Sequence, residues 1–205
     1  MKGRNRKRLA VYKAFLIAGL FTSLFLVISI LTDSENRNVD NYPQITDEVL
    51  NYRPLVEKYA KEYDVSQYVD VLLAMMMQES AGKGNDPMQS SESYCGQVGC
   101  ISDPERSIKQ GVYYFSTVLK DAEGDVELAI QSYNFGKGFI DYVLSETGQY
   151  SQEVAINFSQ KMYENAADKS IYTCLREGSE KYNACYGDIY YVQSVMEYRE
   201  VIAMK

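Results

Sequence analysis

From Thr46 onward the apolar residues recur at helical spacing, and the longest break in that pattern runs from Ala81 to Ser102. Gly82, Gly84, Asn85, Asp86, Pro87, Gly96 and Gly99, with serines at 90, 91 and 93, deny this stretch a regular helix. Long loops inside compact domains are functional or disordered. Cys95 and Cys100 lie within this one and argue for order. The chain therefore reads as two helical blocks joined by one long, ordered loop.

The helices are marked by their ends. Thr46 caps a segment whose apolar face is Val49, Leu50, Tyr52, Val56, Tyr59 and Ala60, with Pro54 at a first turn or a break. Ser66 opens a second segment, with Val69, Leu72, Leu73, Met76 and Met77 on its buried side. Asp103-Pro104-Glu105 is a capped start for a helix carrying Ile108, Val112, Tyr113, Phe115, Ser116 and Leu119 and stopping near Gly124. Asp125 starts a shorter one through Tyr133 that ends at Gly136, and Gly138 to Leu144 begins another. Gln152 to Ala167 is helical, Cys174 to Cys185 is a polar excursion, and Asp188 opens a last helix through Tyr191, Val192, Val195 and Val201. Strands have almost no support. Residues 46–205 thus predict a mainly α domain large enough for a true core.

The first 45 residues differ in kind. Lys2, Arg4, Arg6, Lys7, Arg8 and Lys13 precede an uncharged run from Ala14 to Leu31. At ~1.5 Å per residue a helix over that run approaches the thickness of a bilayer's hydrocarbon core. A basic flank keeps the N-terminus in the cytoplasm. The run is longer than a signal peptide's apolar region, and Ser29 to Asp33 makes a poor cleavage site. The expected organisation is a basic cytoplasmic segment (1–13), a single transmembrane signal anchor (14–32), a polar tether (33–45) and an external domain (46–205) at the cell membrane. The first 32 residues hold six of the 21 basic residues and none of the 28 acidic ones, so the remainder carries −13. Such a domain is a poor partner for nucleic acid.

Composition narrows the chemistry. Histidine is absent, which removes Ser-His-Asp and Cys-His nucleophiles and histidine-ligated metals. Four cysteines fall into two close pairs, Cys95/Cys100 and Cys174/Cys185. In an exported domain an even count reads as disulfides, and pairing within each couple is the simplest of three connectivities. Zinc is a rival reading, weakened by the spacing and by the missing histidine. No cofactor or metal is expected. Trp is absent and Tyr numbers 19, a residue suited to cores and to sugar clefts alike.

Glu79 ends an apolar run that includes three methionines and precedes the polar loop. A carboxyl between an apolar floor and a cleft has a raised pKa, as a general acid requires. By position alone Glu79 also reads as an ordinary glutamate at a helix C-terminus, and its unfavourable setting against the dipole shifts the balance toward function. Asp86, in Gly84-Asn85-Asp86-Pro87, either forms a turn or faces Glu79 across a bound sugar.

Four motifs now fall in order. Gln78-Glu79-Ser80 resembles the Glu-Ser motif of lytic transglycosylases and goose-type lysozymes. Asp86-Pro87-Met88-Gln89 is similar to their Gly-Leu-Met-Gln, with Met88 and Gln89 retained. Ser132-Tyr133-Asn134 resembles their Ala-Tyr-Asn, and Tyr191 to Val195 their closing Tyr-Val-x-x-Val. The run Gly84 to Ser93 after Gln-Glu-Ser is most similar to the lysozyme-like domain of cell-wall hydrolases from Gram-positive conjugative elements and of pneumococcal vaccine antigen A-like surface proteins. The resemblance implies a lysozyme-like helical fold and cleavage of peptidoglycan glycan strands between N-acetylmuramic acid and N-acetylglucosamine, by hydrolysis or with a 1,6-anhydro product. It implies Glu79 as acid and Asp86 as its partner. Ser80 and Gln89 would hydrogen-bond the acid or the sugar N-acetyl groups. Tyr133 would hold Glu79 from across the cleft. Asn134 would bind substrate or fix a turn, and Tyr191 would border the acid. Met88, Ser91 and Phe135 would shape or line the pocket. Some members carry a Cys-His peptide-cutting domain, an activity this histidine-free chain does not imply. A non-catalytic peptidoglycan binder and an anchored scaffold of a conjugation or secretion machine are the rival readings.

Overall fold

The computed structural model describes residues 43–205, so the basic segment, the apolar run 14–32 and most of the tether lie outside the described residues. No helix of the described residues is long and apolar enough to cross a membrane.

Nine α-helices and no strand occur among the described residues. Thr46 caps α1 (Asp47–Asn51) by accepting from the Val49 amide at 3.4 Å. The chain breaks at Tyr52, and α2 (Arg53–Glu62) restarts with Pro54 in its first turn, where proline's missing amide costs nothing. Ser66 does not open an α-helix. It starts a single 3-10 turn, and α3 (Val69–Ser80) begins three residues later.

α3 is the axis of the domain. Residues 71–76 are all buried, so the helix has no solvent face over its middle, and the expected one-sided stripe was too narrow. A helix apolar all round belongs inside a protein. It packs most extensively on α9 (Tyr191–Ala203), and also on α1 and α2. α5 (Pro104–Asp121) and α6 (Val126–Phe135) pack together, capped by Asp103 and Asp125 through the Arg106 and Leu128 amides. α7 (Gly138–Glu146) and α8 (Gln152–Glu164) close the aromatic side, where Phe135, Phe139 and Phe158 meet with ring centroids 5.1–5.5 Å apart. Tyr113, expected with the apolar residues of α5, lies outward and edge-on to Tyr63 at 5.3 Å.

Two departures concern the loops. The break from Ala81 to Ser102 contains one helical turn, α4 (Ser91–Cys95), and Cys95 and Cys100 are bridged behind it. Cys174 and Cys185 are bridged as well. The last helix starts at Tyr191 and not at Asp188. The Asp188 carboxylate is drawn back to Arg176, and its other oxygen takes the Tyr190 amide at 2.9 Å.

Gly111 shows how tightly the long loop is laid on α5. A Cβ there would stand 2.7 Å from the Met88 Cβ and 2.9 Å from the Tyr133 hydroxyl. Alanine normally stabilises a helix interior relative to glycine by about 1 kcal/mol. Here overpacking reverses the sign, and Gly111→Ala is expected to lower stability by about 1–2 kcal/mol in urea melts.

Candidate active site

α3 ends where Ala81 adopts a left-handed conformation (φ 56°), followed by Gly82 at φ 75°. The Thr46 hydroxyl donates to the Ala81 carbonyl at 2.9 Å and so ties this end to the start of α1. The abrupt stop leaves Glu79 in the last turn, partly buried, with its carboxyl bordering an open cleft.

The inner oxygen of Glu79 accepts a hydrogen bond of 2.5 Å from the hydroxyl of Tyr191, which is itself buried at the start of α9. Burial pushes the Glu79 carboxyl up to about 7. The Tyr191 bond opposes this, and the negative charges of Asp86 and Asp188 reinforce it. Around neutral pH, therefore, about half of the Glu79 carboxyls keep a proton that can be donated into the cleft, against almost none for an ordinary glutamate.

The cleft has two lobes of about 320 Å³ each. Glu79, Asp86, Ser91 and Val98 line the first, and Tyr114, Phe135 and Tyr186 the second. Gln89, Glu92, Tyr133 and Asn134 border both, which makes one continuous groove.

Asp86 shares the first lobe with Glu79, but its carboxylate is heavily engaged. Oδ1 accepts from the Ser90 amide at 2.9 Å and the Ser107 hydroxyl at 2.6 Å, while the Ser90 hydroxyl, 3.4 Å away, gives its proton to the Ser107 carbonyl at 2.9 Å. Oδ2 accepts from the Ser91 hydroxyl at 2.6 Å and the Ser91 amide at 3.1 Å. A carboxylate offers about four lone-pair sites, and four donors occupy these. Burial raises the pKa of Asp86, but the bonds from Ser107, Ser91 and the two amides outweigh it and hold the group below its ordinary value.

Other candidates act on the loop and not on the acid. The Tyr133 hydroxyl donates to the Met88 carbonyl at 2.8 Å, not to Glu79. A buried hydroxyl needs a partner, and the loop carbonyl meets the same need. Ser80 donates to the Pro87 carbonyl at 2.7 Å, and Gln89 to the Asp86 carbonyl at 3.0 Å, so neither holds the acid. The Met88 side chain is fully buried and does not line the cleft, so of the two expected tasks, shaping and lining, it can only shape the pocket from beneath and cannot contact substrate. Ser91 borders the cleft, but its hydroxyl spans Asp86 and the Ile101 amide. Asn134 accepts from the Asp188 amide at 2.8 Å and fixes that turn, while still lining both lobes. Gly187 makes the turn possible: its φ is +63°, and a Cβ would stand 2.7 Å from the Phe135 ring.

Two participants, Ser107 and Arg176, escaped the sequence reading, and a third, Gln78, was named there only as part of a motif. Ser107 is buried, donates to Asp86 and accepts from the Met88 amide at 3.0 Å. Arg176 grips one Asp188 oxygen through Nε at 2.9 Å and Nη2 at 2.7 Å, and reaches the Ser194 hydroxyl at 2.8 Å. Gln78 approaches the same Asp188 oxygen at 3.4 Å, linking this pair to the end of α3. Nothing in the local sequence marks these residues, because each partner lies on another element.

No group of three or more Cys, Asp or Glu residues able to hold a metal occurs among the described residues. Fold and site together define an α-helical domain that presents a buried carboxyl with a raised pKa to an open polar groove. The chain belongs to the lysozyme-like family, whose model matches residues 46–199. It is 42% identical over 154 residues to the bifunctional muramidase/DL-endopeptidase CwlT of Bacillus subtilis, covering 75% of this chain and 42% of that one. The uncharacterized membrane protein YocA of the same organism is 38% identical over 163 residues, 78% of this chain and 72% of YocA. A pneumococcal vaccine antigen A homolog of Streptococcus pyogenes serotype M6 is 41% identical over 115 residues, 55% of this chain and 58% of the homolog. The crystal structure of an NLP/P60-family lipoprotein-like protein from Staphylococcus aureus superposes with a TM-score of 0.66 at 42% identity, covering 76% of this chain and 54% of that one. The chain thus spans well under two thirds of several relatives that it matches.

Proposed function

We propose that this chain cleaves the glycan strands of peptidoglycan at the β-1,4 bond between N-acetylmuramic acid and N-acetylglucosamine, as a muramidase with Glu79 as the general acid. The observation that carries this reading is the Glu79 carboxyl at the end of the central helix, held by the Tyr191 hydroxyl at the edge of a continuous polar groove. Glu79 gives its proton to the glycosidic oxygen as the bond to the anomeric carbon breaks. Tyr191 keeps the carboxyl aimed outward. Tyr133, Ser80 and Ser107 hold the loop that forms the groove's wall. Of the two activities in the name of CwlT, muramidase is the one that carboxylates can perform without histidine. The apolar run 14–32 would hold the domain at the outer face of the cell membrane, within reach of the wall.

A second reading is lytic transglycosylation, in which the muramoyl hydroxyl attacks and no carboxylate need activate water. The saturation of Asp86 by four donors favours it. The test is digestion of purified sacculi by the purified full chain, followed by mass spectrometry. Hydrolysis is expected to leave reducing muramic ends; an anhydro end is lighter by one water. Sacculi that bind the protein yet release no glycan fragment would leave only the non-catalytic reading.

A further inference from the structure

The bridged segment from Cys174 to Cys185 lines neither lobe of the groove, yet it sends one cation inward. Arg176 follows one cysteine of the bridge closely, and Asp188 follows the other. The guanidinium gives Nε and Nη2 to one Asp188 oxygen at 2.9 and 2.7 Å, and Nη2 also reaches the Ser194 hydroxyl at 2.8 Å. Asp188 is only 4% exposed, and a charge that deep needs its partner. The same carboxylate accepts from the Gln78 side-chain amide at 3.4 Å and from the Tyr190 backbone amide at 2.9 Å. Gln78 is the residue before Glu79, and Tyr190 is the residue before Tyr191. One ion pair thus grips the neighbour of each partner in the 2.5 Å bond from Tyr191 to Glu79. The groups that face Glu79 are Tyr191 on α9, Asp86 on the long loop, Asp188 in the turn before α9, and Tyr133 on α6. Arg176 is faced by Asp188 and, from α9, by Glu197 and Tyr198.

We propose that Arg176 is a positioning residue for the acid: delivered by the bridged segment, it holds Asp188 against Gln78 and Tyr190 and so keeps the Tyr191 hydroxyl on Glu79. This rests on Glu79 as the glycan-cleaving acid, and it applies to hydrolysis and to anhydro cleavage alike. Without the guanidinium, water reaches Asp188 and keeps it ionised. The turn before α9 slackens, and the Glu79 carboxyl loses its aim. Two changes then act on its titration in the same direction. The Tyr191 bond, which lowers the carboxyl's pKa, weakens, and the Asp188 charge, which raises it, stands without its cation.

Arg176→Met in the full chain is expected to lower kcat on purified sacculi by about tenfold or more. The apparent KM should stay as it was, since Arg176 lines neither lobe of the groove. The alkaline limb of activity should move up from its midpoint near 7 by about half a unit. A residue that only stabilised the fold would change neither kcat nor midpoint once rates are scaled to the folded fraction, read by circular dichroism. Arg176→Lys should return the midpoint to that of the unmodified chain and recover part of kcat, because an ammonium still faces Asp188. Folded Arg176→Met with unchanged kcat and midpoint overturns the proposal. So does a raised KM with kcat intact, which would make Arg176 a substrate contact, and so does a shift that Arg176→Lys does not reverse. If Arg176→Met does not fold, the double variant Cys174→Ser/Cys185→Ser carries the test. It keeps both charges and frees the segment that delivers one of them, so kcat should fall and the midpoint rise by smaller amounts; full kcat there overturns the proposal. If glycan cleavage persists in Glu79→Gln, the underlying reading fails independently of Arg176.

Discussion

Glu79→Gln is expected to abolish glycan cleavage and to make the protein more stable above neutral pH. The two effects share one cause. In the fold the carboxyl titrates at about 7 against an ordinary 4.5, because burial penalises its charge. A raised carboxyl pKa means that the native state holds the proton more tightly than the unfolded chain does. The stabilisation is complete below about pH 4.5, declines as pH rises, and is gone once pH has passed through 7. Integrated over that interval it amounts to about 3 kcal/mol. Glutamine has no proton to lose and still offers an oxygen to the Tyr191 hydroxyl. The variant should therefore match the unmodified chain at pH 4, pull ahead between pH 5 and 7, and hold a constant lead at pH 8. The lead in Tm should be on the order of 10 °C. Thermal melts across pH measure it, and equal Tm values at pH 8 would refute the raised pKa. The same titration sets the activity profile, since only protonated Glu79 can act as an acid. Cleavage by the unmodified chain should fall along an alkaline limb with a midpoint near 7. A rate that stays flat to pH 9 would count against Glu79 as the donor.

That Glu79 could be singled out from sequence reflects its local setting. An apolar helical run, an abrupt polar loop and a carboxylate at the junction are contiguous features. The caps at Thr46, Asp103 and Asp125 are local too, and all three hold in the structure. What stayed hidden is the set of interactions made between elements. Tyr133 was expected to hold the acid, but its hydroxyl reaches Met88, 45 residues away. Asp188 looked like a helix cap, but Arg176 on the preceding loop claims its carboxylate. Arg176 is an unremarkable residue in a polar stretch, with no periodicity to place it. The breadth of burial on α3 was understated because a one-sided stripe suffices to call a helix, whereas full burial follows only from the packing of α1, α2 and α9 around it. Motif residues such as Ser80, Met88 and Ser91 were legible as a group. Their separate tasks were not, because a motif records which residues stand together without recording which faces ligand and which faces protein.

Asp86→Ala should be the most destabilising of the polar substitutions around the groove, through the loop and not through lost chemistry. It would strip the Ser90 and Ser91 amides and the buried Ser107 hydroxyl of their common acceptor. A buried donor left without a partner costs about 1–3 kcal/mol, and charged acceptors are the hardest to replace. Hydroxyls can turn to other partners, but amides cannot, so a net loss on the order of 3 kcal/mol is expected at pH 7. The pH dependence runs opposite to that of Glu79. Asp86 is held below its ordinary 3.8, so its contribution is present above that value and is lost as pH falls through the still lower native pKa. The gap between Asp86→Ala and the unmodified chain should therefore be full at pH 7 and narrow in strong acid. Urea melts at pH 7 and pH 3 measure both ends. Ser107→Ala should reproduce part of the loss, because it removes the 2.6 Å bond to Asp86 and also the acceptor of the Met88 amide. If Asp86→Ala melts like the unmodified chain at pH 7, the carboxylate is not the keystone of the loop. A role in the reaction itself would then again be the better account of its place beside Glu79.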